Sequence, residues 1–328
     1  MGKISDSHKE LYHYTTATGI SGILESKSLW ATHSSFMNDE EEIHVFYNRV
    51  LPEILLPIFR KYIEEIKDQP EFQSSQGNMH FDIYFNKLFT KLTETLKEVS
   101  FGFHDQYITS FTTTKDPYVR EHGLLSQWRA YGPDGGYAIV FDSEHLDNII
   151  AKETAAYQEE IYSWTDVQYK LNENGQTGDS DTDEWIEKLQ TAADRYFRSG
   201  SEEDSGELSS PLTILSSLFK HRGFSEEQEV RLVLSLLGPK LESHQELHAV
   251  RQHPIKTITR NGSTVPIVEL NVQEVNGIRQ HLPISRIIVG PHRDKNERKR
   301  AIQLLLKQHG LNNLIDKVSV SDIPYRGI

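Results

Sequence analysis

The sequence predicts an α+β protein organised around a mixed sheet, for three reasons. Short aromatic and β-branched runs recur along the chain, among them Leu11-Tyr12-His13-Tyr14-Thr15 and Tyr137-Ala138-Ile139-Val140-Phe141. Helix-spaced apolar stretches interrupt them without a regular strand–helix–strand alternation. Asn261-Gly262, set between the runs 254–260 and 265–272, is the strongest short hairpin signal. At 328 residues the chain can bury a sizeable core. A single domain over 1–328 is expected, with helical insertions at about 39–100 and 171–222.

Taken in order, 11–15 is a strand, and Thr16 or Thr18 caps a helix whose Ile20, Ile23 and Leu24 share a face. Residues 29–32 are a second extended piece. Asn38-Asp39 is a helix cap followed by Glu40, Glu41 and Glu42, where the helix dipole favours acids. Helical period continues to Ile66, with Pro52 and Pro57 expected to kink or split it. Residues 68–78 read as a polar loop and 80–99 as an amphipathic helix. Strands follow at 106–112 and 136–142, the second nearly all apolar and therefore central. Between them a helical turn, 124–132, stops at a Gly-rich turn. Segments 172–183 and 199–207 hold little to bury and read as mobile, flanking a helix over 184–197. Ser210-Pro211 opens a helix ending near Lys220-His221-Arg222-Gly223. Strands at 229–234, in the hairpin, at 287–289 and at 318–320 complete seven or eight, with a basic helix at 294–309.

Composition narrows the chemistry. There are no cysteines, which excludes disulfide scaffolds, cysteine nucleophiles, thiolate zinc sites and iron–sulfur clusters. No apolar run approaches the roughly 20 residues of a membrane helix, and the N-terminus lacks an apolar signal core, so a cytoplasmic protein is expected. The net charge of −13 counts against non-specific nucleic-acid binding, which draws its affinity from neutralised phosphates. A local basic groove is still compatible with it.

Four clusters could carry chemistry: 11–15 with 29–32, Ser110-Phe111-Thr112, Gln127-Trp128-Arg129-Ala130-Tyr131-Gly132, and Phe224 to Val233. Taken singly, each has an ordinary reading. A strand histidine such as His13 is usually a hydrogen-bonded core or edge residue, Trp128 and Tyr131 read as core aromatics, and an acidic run is usually a solvated loop. Glu229 fits that last reading least. It opens an otherwise apolar strand, where a carboxylate is costly unless it has partners or a task.

Together, the order of these clusters resembles the domain-of-unknown-function family 2971, from Leu11-Tyr12-His13-Tyr14-Thr15 through Leu125 to Gly132 and Phe224 to Val233, to Arg286 to Pro291 and Ser321 to Arg326. The opening also resembles NAD-dependent ADP-ribosyltransferases, particularly DarT-type toxins: His13-Tyr14-Thr15, then a helix ending Ile23-Leu24, with Ser28 where those enzymes carry Gly. Glu229-Val230-Arg231-Leu232-Val233 matches their late strand, and Glu227-Gln228-Glu229 their Glu-X-Glu pattern. This second resemblance implies a split mixed β-sheet core with helical insertions. It also implies NAD as substrate, transfer of ADP-ribose to a macromolecular acceptor or hydrolysis of NAD, and a place in toxin or phage-defence systems. The acceptor stays open between nucleic acid, protein, a small molecule and water, and the oligomeric state is not legible.

The chemistry fits the residue types. Breaking the nicotinamide–ribose bond develops positive charge on the ribose, which a carboxylate at the 2′-hydroxyl stabilises. The resemblance gives that role to Glu229, activation of the acceptor to Glu227, and ribose binding to His13, helped by Tyr14, Thr15 and Ser110. Arg129 is expected to face the pyrophosphate, and Tyr131 or Tyr137 to stack on nicotinamide. His13 and Glu229 should therefore converge, and Glu229→Gln should cost rate rather than fold. Lys220, His221 and Arg222 are expected at the acceptor entrance, against the ordinary reading of basic residues answering a helix dipole.

Two other functional classes compete. One is a sensor of the same fold that binds a nucleotide or a partner without turnover. The other is a metal-dependent hydrolase. His244-Gln245-Glu246-Leu247-His248 has two His at i and i+4, but Gln245 stands where the metalloprotease pattern needs Glu, and no metal ligand is assigned.

Overall fold

The computed structural model of the chain describes residues 3–37, 45–101, 104–132, 135–157, 161–237, 253–260, 262–271, 274–275 and 278–325. The expected cap at Asn38-Asp39, the His244–His248 pair and Asn261 lie outside these residues.

The first strand, β1 (Glu10–Thr15), leads into α1 (Ala17–Ser26), where the Thr16 side chain accepts from the Gly19 amide and caps the helix. Strand β2 (Leu29–His33) follows, then a turn of π-helix over Phe46–Val50 that runs into α2 (Leu51–Ile66). Pro57 neither splits nor ends α2. It lies on the exposed face, as does Glu53, whose carbonyl the ring leaves without an amide partner, so water can serve that carbonyl. The stretch expected as a loop contains α3 (Pro70–Gln76), which buries Phe72. Helix α4 (Phe81–Phe101) and strand β3 (His104–Thr112) come next, then the short helices α5 (Pro117–His122) and α6 (Leu125–Tyr131).

The apolar strand β4 (Tyr137–Asp142) precedes α7 (Ser143–Ala156) and β5 (Ile161–Asp166). The two stretches expected to be mobile are held by polar side chains instead of a core. Asp183 accepts from the Thr177 amide and hydroxyl and Asp179 caps α8 (Ser180–Ser199), while Ser201 caps α9 (Glu202–Glu207). Helix α10 (Ser209–Ser216) leads to β6 (Glu229–Leu237), and β7 (Ile255–Arg260) and β8 (Ser263–Leu270) form the expected hairpin. The short pair β9 (Glu274–Val275) and β10 (Ile278–Arg279), then β11 (Ile284–Val289), α11 (Lys295–Gln308) and β12 (Val318–Val320) complete the described chain.

Among the described residues, ten strands make one open, mixed sheet in the order β12-β11-β4-β1-β3-β2-β8-β7, with β6 on β3 and β5 on β6. The β11–β12 pair is parallel and the other strand pairs are antiparallel. The functional interest lies at β3. One of its edges pairs along its full length with β6. Its other edge meets β1 only at Tyr12↔Thr112 and β2 only at Thr32↔Ile108 and His33↔Tyr107. Between those contacts β1 and β2 part, leaving β3 residues 109–111 facing a gap.

Three apolar clusters hold the molecule together. One, from Leu11, Phe111, Ile139, Phe141, Val230 and Leu232 among others, fills one side of the sheet. A second unites the two insertions: Phe46, Leu51, Phe59 and Phe85 pack with Leu189, Phe197 and Leu212. The third is small, with Trp128 at its centre against Tyr12, Tyr14, Val140 and Ile288. Trp128 is wedged so closely that a Cβ at Gly290 would stand 2.9 Å from its ring and 2.9 Å from the Gly136 carbonyl. Close approach, not a turn, is why glycine stands at 290.

Candidate functional site

The gap between β1 and β2 opens into a cleft walled by His13, Tyr14, Trp30, Ser110, Tyr131 and Arg260, with Glu227 and Glu229 at one end. The cleft measures about 90 Å³, space for several waters or one sugar-sized ring. A larger molecule would place one ring there and extend through the open mouth.

At the acidic end four charged side chains are buried together. Arg231 Nε donates to Glu229 Oε1 at 2.8 Å, and Lys220 Nζ donates to Glu229 Oε2 at 2.9 Å and to Glu227 Oε2 at 2.8 Å. Arg231 Nη1 reaches the Ser217 carbonyl at 2.8 Å. Exposures of 6% for Lys220, 8% for Glu227, 5% for Glu229 and 1% for Arg231 put all four out of water, affordable only because each charge is matched. Strand geometry arranges half of this: Glu229 and Arg231 are two apart and point to one face. The turn over Arg222–Glu227, closed by Gln228 at φ 42°, brings Glu227 and Lys220 to them.

Burial alone would raise the Glu229 carboxyl above its usual range. The Arg231 and Lys220 charges, the Arg231 hydrogen bond and the nearby Ser110 hydroxyl outweigh it, holding the carboxyl down at about 2. A folded pKa below the unfolded 4.5 adds stability that is fully present above about pH 4.5 and is lost as pH falls toward about 2. The urea midpoint should therefore drop across that window. The gap between wild type and Glu229→Gln should shrink there too, because the wild-type carboxylate is being neutralised. A gap constant from pH 6 to about pH 2.5 would remove Glu229 from the acid transition.

His13 sits where β1 leaves β3. Its Nδ1 lies 3.0 Å from the Ser110 carbonyl, which can only accept, so Nδ1 carries the proton. Burial lowers the ring's pKa below the ordinary histidine value, which leaves Nε2 a neutral acceptor. In the ladder Tyr12 stands opposite Thr112 and Thr112 opposite Glu229, so these three share a face. His13 points to the other, its ring 5.8 Å from Phe111. The expected convergence on one face therefore fails: His13 and Glu229 border the same cleft from opposite faces of the sheet.

Of the other residues singled out from the sequence, Tyr14, Ser110, Tyr131 and Glu227 line the cleft. The Tyr14 hydroxyl accepts from the Leu124 amide at 2.8 Å and anchors α6. Thr15, Arg129 and Tyr137 do not line it. Tyr137 is buried in the main core. Arg129 is exposed, its guanidinium over the Tyr325 ring at 5.6 Å. Lys220 is no entrance residue: it is buried in the ion cluster, and only His221 and Arg222 reach toward solvent. The sequence reading passed over Arg260, which lines the cleft from the end of β7 and donates to the Phe36 carbonyl. Nothing local marks it, since its place depends on β8 pairing with β2.

No curated protein and no solved structure matches the chain. The segment from α6 through the first residues of β6, which supplies Tyr131, Lys220, Glu227, Glu229 and Arg231, is matched by a family model. Over residues 127–232 the chain is thus similar to the family described as "Protein of unknown function (DUF2971)".

Proposed function

We propose that the cleft binds NAD and that Glu229 promotes cleavage of its nicotinamide–ribose bond, with ADP-ribose passing to an acceptor or to water. The observation that carries the reading is the buried, ionised Glu229 at the end of a ring-sized space. An ionised carboxylate has about four acceptor positions, and Arg231 and Lys220 take three, one of them a long contact of 3.4 Å. The fourth faces the Ser110 hydroxyl, whose place a ribose hydroxyl would take or share. In this reading the neutral His13 Nε2 accepts from a second hydroxyl, Tyr131 borders the ring, and Glu227 faces the acceptor. As the bond breaks, its electron pair leaves with nicotinamide and positive charge grows on the ribose, where the fixed Glu229 charge offsets it.

Arg260, not Arg129, is the cation placed for the pyrophosphate. Arg260→Ala is expected to weaken NAD binding by about tenfold, the loss of one charge-assisted contact, while Arg129→Ala leaves it unchanged. Calorimetric titration of both variants checks this, and equal losses would discard the assignment. The reading as a whole is tested by incubating the protein with labelled NAD and following free nicotinamide and label on nucleic acid and protein.

One observation favours a second reading, binding without turnover. Both Glu229 oxygens are already engaged, an arrangement that also suits a purely structural ion cluster. Saturable NAD binding with no nicotinamide released would select it.

A further inference from the structure

A second cavity, of about 420 Å³, lies away from the cleft, and its floor is four consecutive residues of β5: Ser163, Trp164, Thr165 and Asp166. Successive strand residues point to opposite faces, so a cavity touching all four runs along the strand's edge. Strand β5 pairs with β6 on one side, and among the described residues no strand pairs with its other side. One wall is the N-terminal turn with Ile4 and Ser7, and the other is the start of α8 with Asp181, Glu184 and Trp185.

We propose that this groove takes an extended, basic peptide segment as an added strand on β5. Two observations point to that occupant. An open edge offers alternating amide and carbonyl groups to a partner strand, and the groove follows that edge. Four residues of edge span about 13 Å, enough for a strand of three to four residues. The lining carries four carboxylates, Asp166, Asp179, Asp181 and Glu184, against Lys3 and Lys188, although Asp166 also lies 2.7 Å from His8 Nε2 and Asp179 caps α8. Lys188 is spent on Glu184, at 2.7 Å, while its ammonium lies over the Trp185 ring. The walls are therefore acidic and aromatic, matched to lysine or arginine side chains on alternate positions of the guest.

The proposal is independent of NAD chemistry. The test uses the full chain and a blocked hexapeptide of alternating lysine and valine, followed by tryptophan fluorescence and by exchange of the β5 amides that point away from β6. Saturable binding with slowed exchange at these amides is expected. Asp181→Asn with Glu184→Gln should weaken binding by about fivefold, as for two exposed ion pairs. The same peptide N-methylated at alternate residues should not bind, because it cannot donate to a strand edge. Equal binding of the methylated peptide would reduce the effect to charge alone and overturn strand addition. Failure of the unmethylated peptide to bind overturns it as well. So does slow exchange, without peptide, of the β5 amides that point away from β6: if it grows with protein concentration, a second copy covers the edge; if it does not, the chain covers its own edge.

Discussion

If the cleft cleaves NAD as proposed, Glu229→Gln is expected to lower that cleavage by roughly 10²–10³, the usual loss when a charge aimed at a developing cation is removed. The sequence alone suggested that this near-isosteric change would spare the fold. The structure argues otherwise. Removing the charge leaves Lys220 and Arg231 buried with Glu227 as the remaining carboxylate of this cluster. Breaking a buried pair in this way typically costs about 3–5 kcal/mol. Loss of activity in the single variant is therefore ambiguous. The double variant Glu229→Gln with Lys220→Gln separates the effects, because it removes one charge of each sign. It should recover much of the urea stability and still release no nicotinamide. Wild-type turnover in a folded double variant would transfer the catalytic role to Glu227, the other carboxylate of the cluster.

Trp128→Ala should destabilise the protein by about 3–5 kcal/mol, the range for emptying a fully buried tryptophan site. Trp128 has no exposed surface, meets the Tyr14 ring edge-on at 4.8 Å, and donates its indole N–H to the His122 carbonyl at 3.0 Å. The truncation leaves a void and an unserved carbonyl. It also loosens α6, whose Gln127 and Tyr131 border the cleft, so ligand affinity should fall together with stability. Trp128→Phe keeps most of the packing and loses the hydrogen bond, and should recover more than half of the stability loss. Urea unfolding of the three proteins checks this. A loss below about 1 kcal/mol in Trp128→Ala would mean the small cluster is not a structural anchor.

The elements were largely legible because their signals are local. Thr16 capping α1, the apolar run of β4 and the alternation at the start of β6 need no knowledge of the rest of the chain. The misreadings share a cause. The segments 172–183 and 199–207 carry little to bury, yet Asp179, Asp183 and Ser201 fix them through side-chain hydrogen bonds that composition does not reveal. Pro57 was expected to disturb α2, but whether a proline disturbs a helix depends on which face it occupies, and that is a matter of packing.

For the site, the sequence by itself identified Glu229 as a carboxylate in an expensive place and marked His13, Tyr14, Ser110, Tyr131 and Glu227, all of which line one cleft. Its place at the start of an apolar strand marks Glu229, while the others were marked by the resemblance to ADP-ribosyltransferases. Only the tertiary structure decided that Lys220 turns inward to serve two carboxylates, that Arg129 and Tyr137 lie outside the cleft, and that Arg260 enters it from a hairpin. It also decided that His13 and Glu229 reach the cleft from opposite faces of the sheet. These placements follow from which strands pair and where they part, and pairing between distant segments is set by the burial of the whole core rather than by any local run of residues.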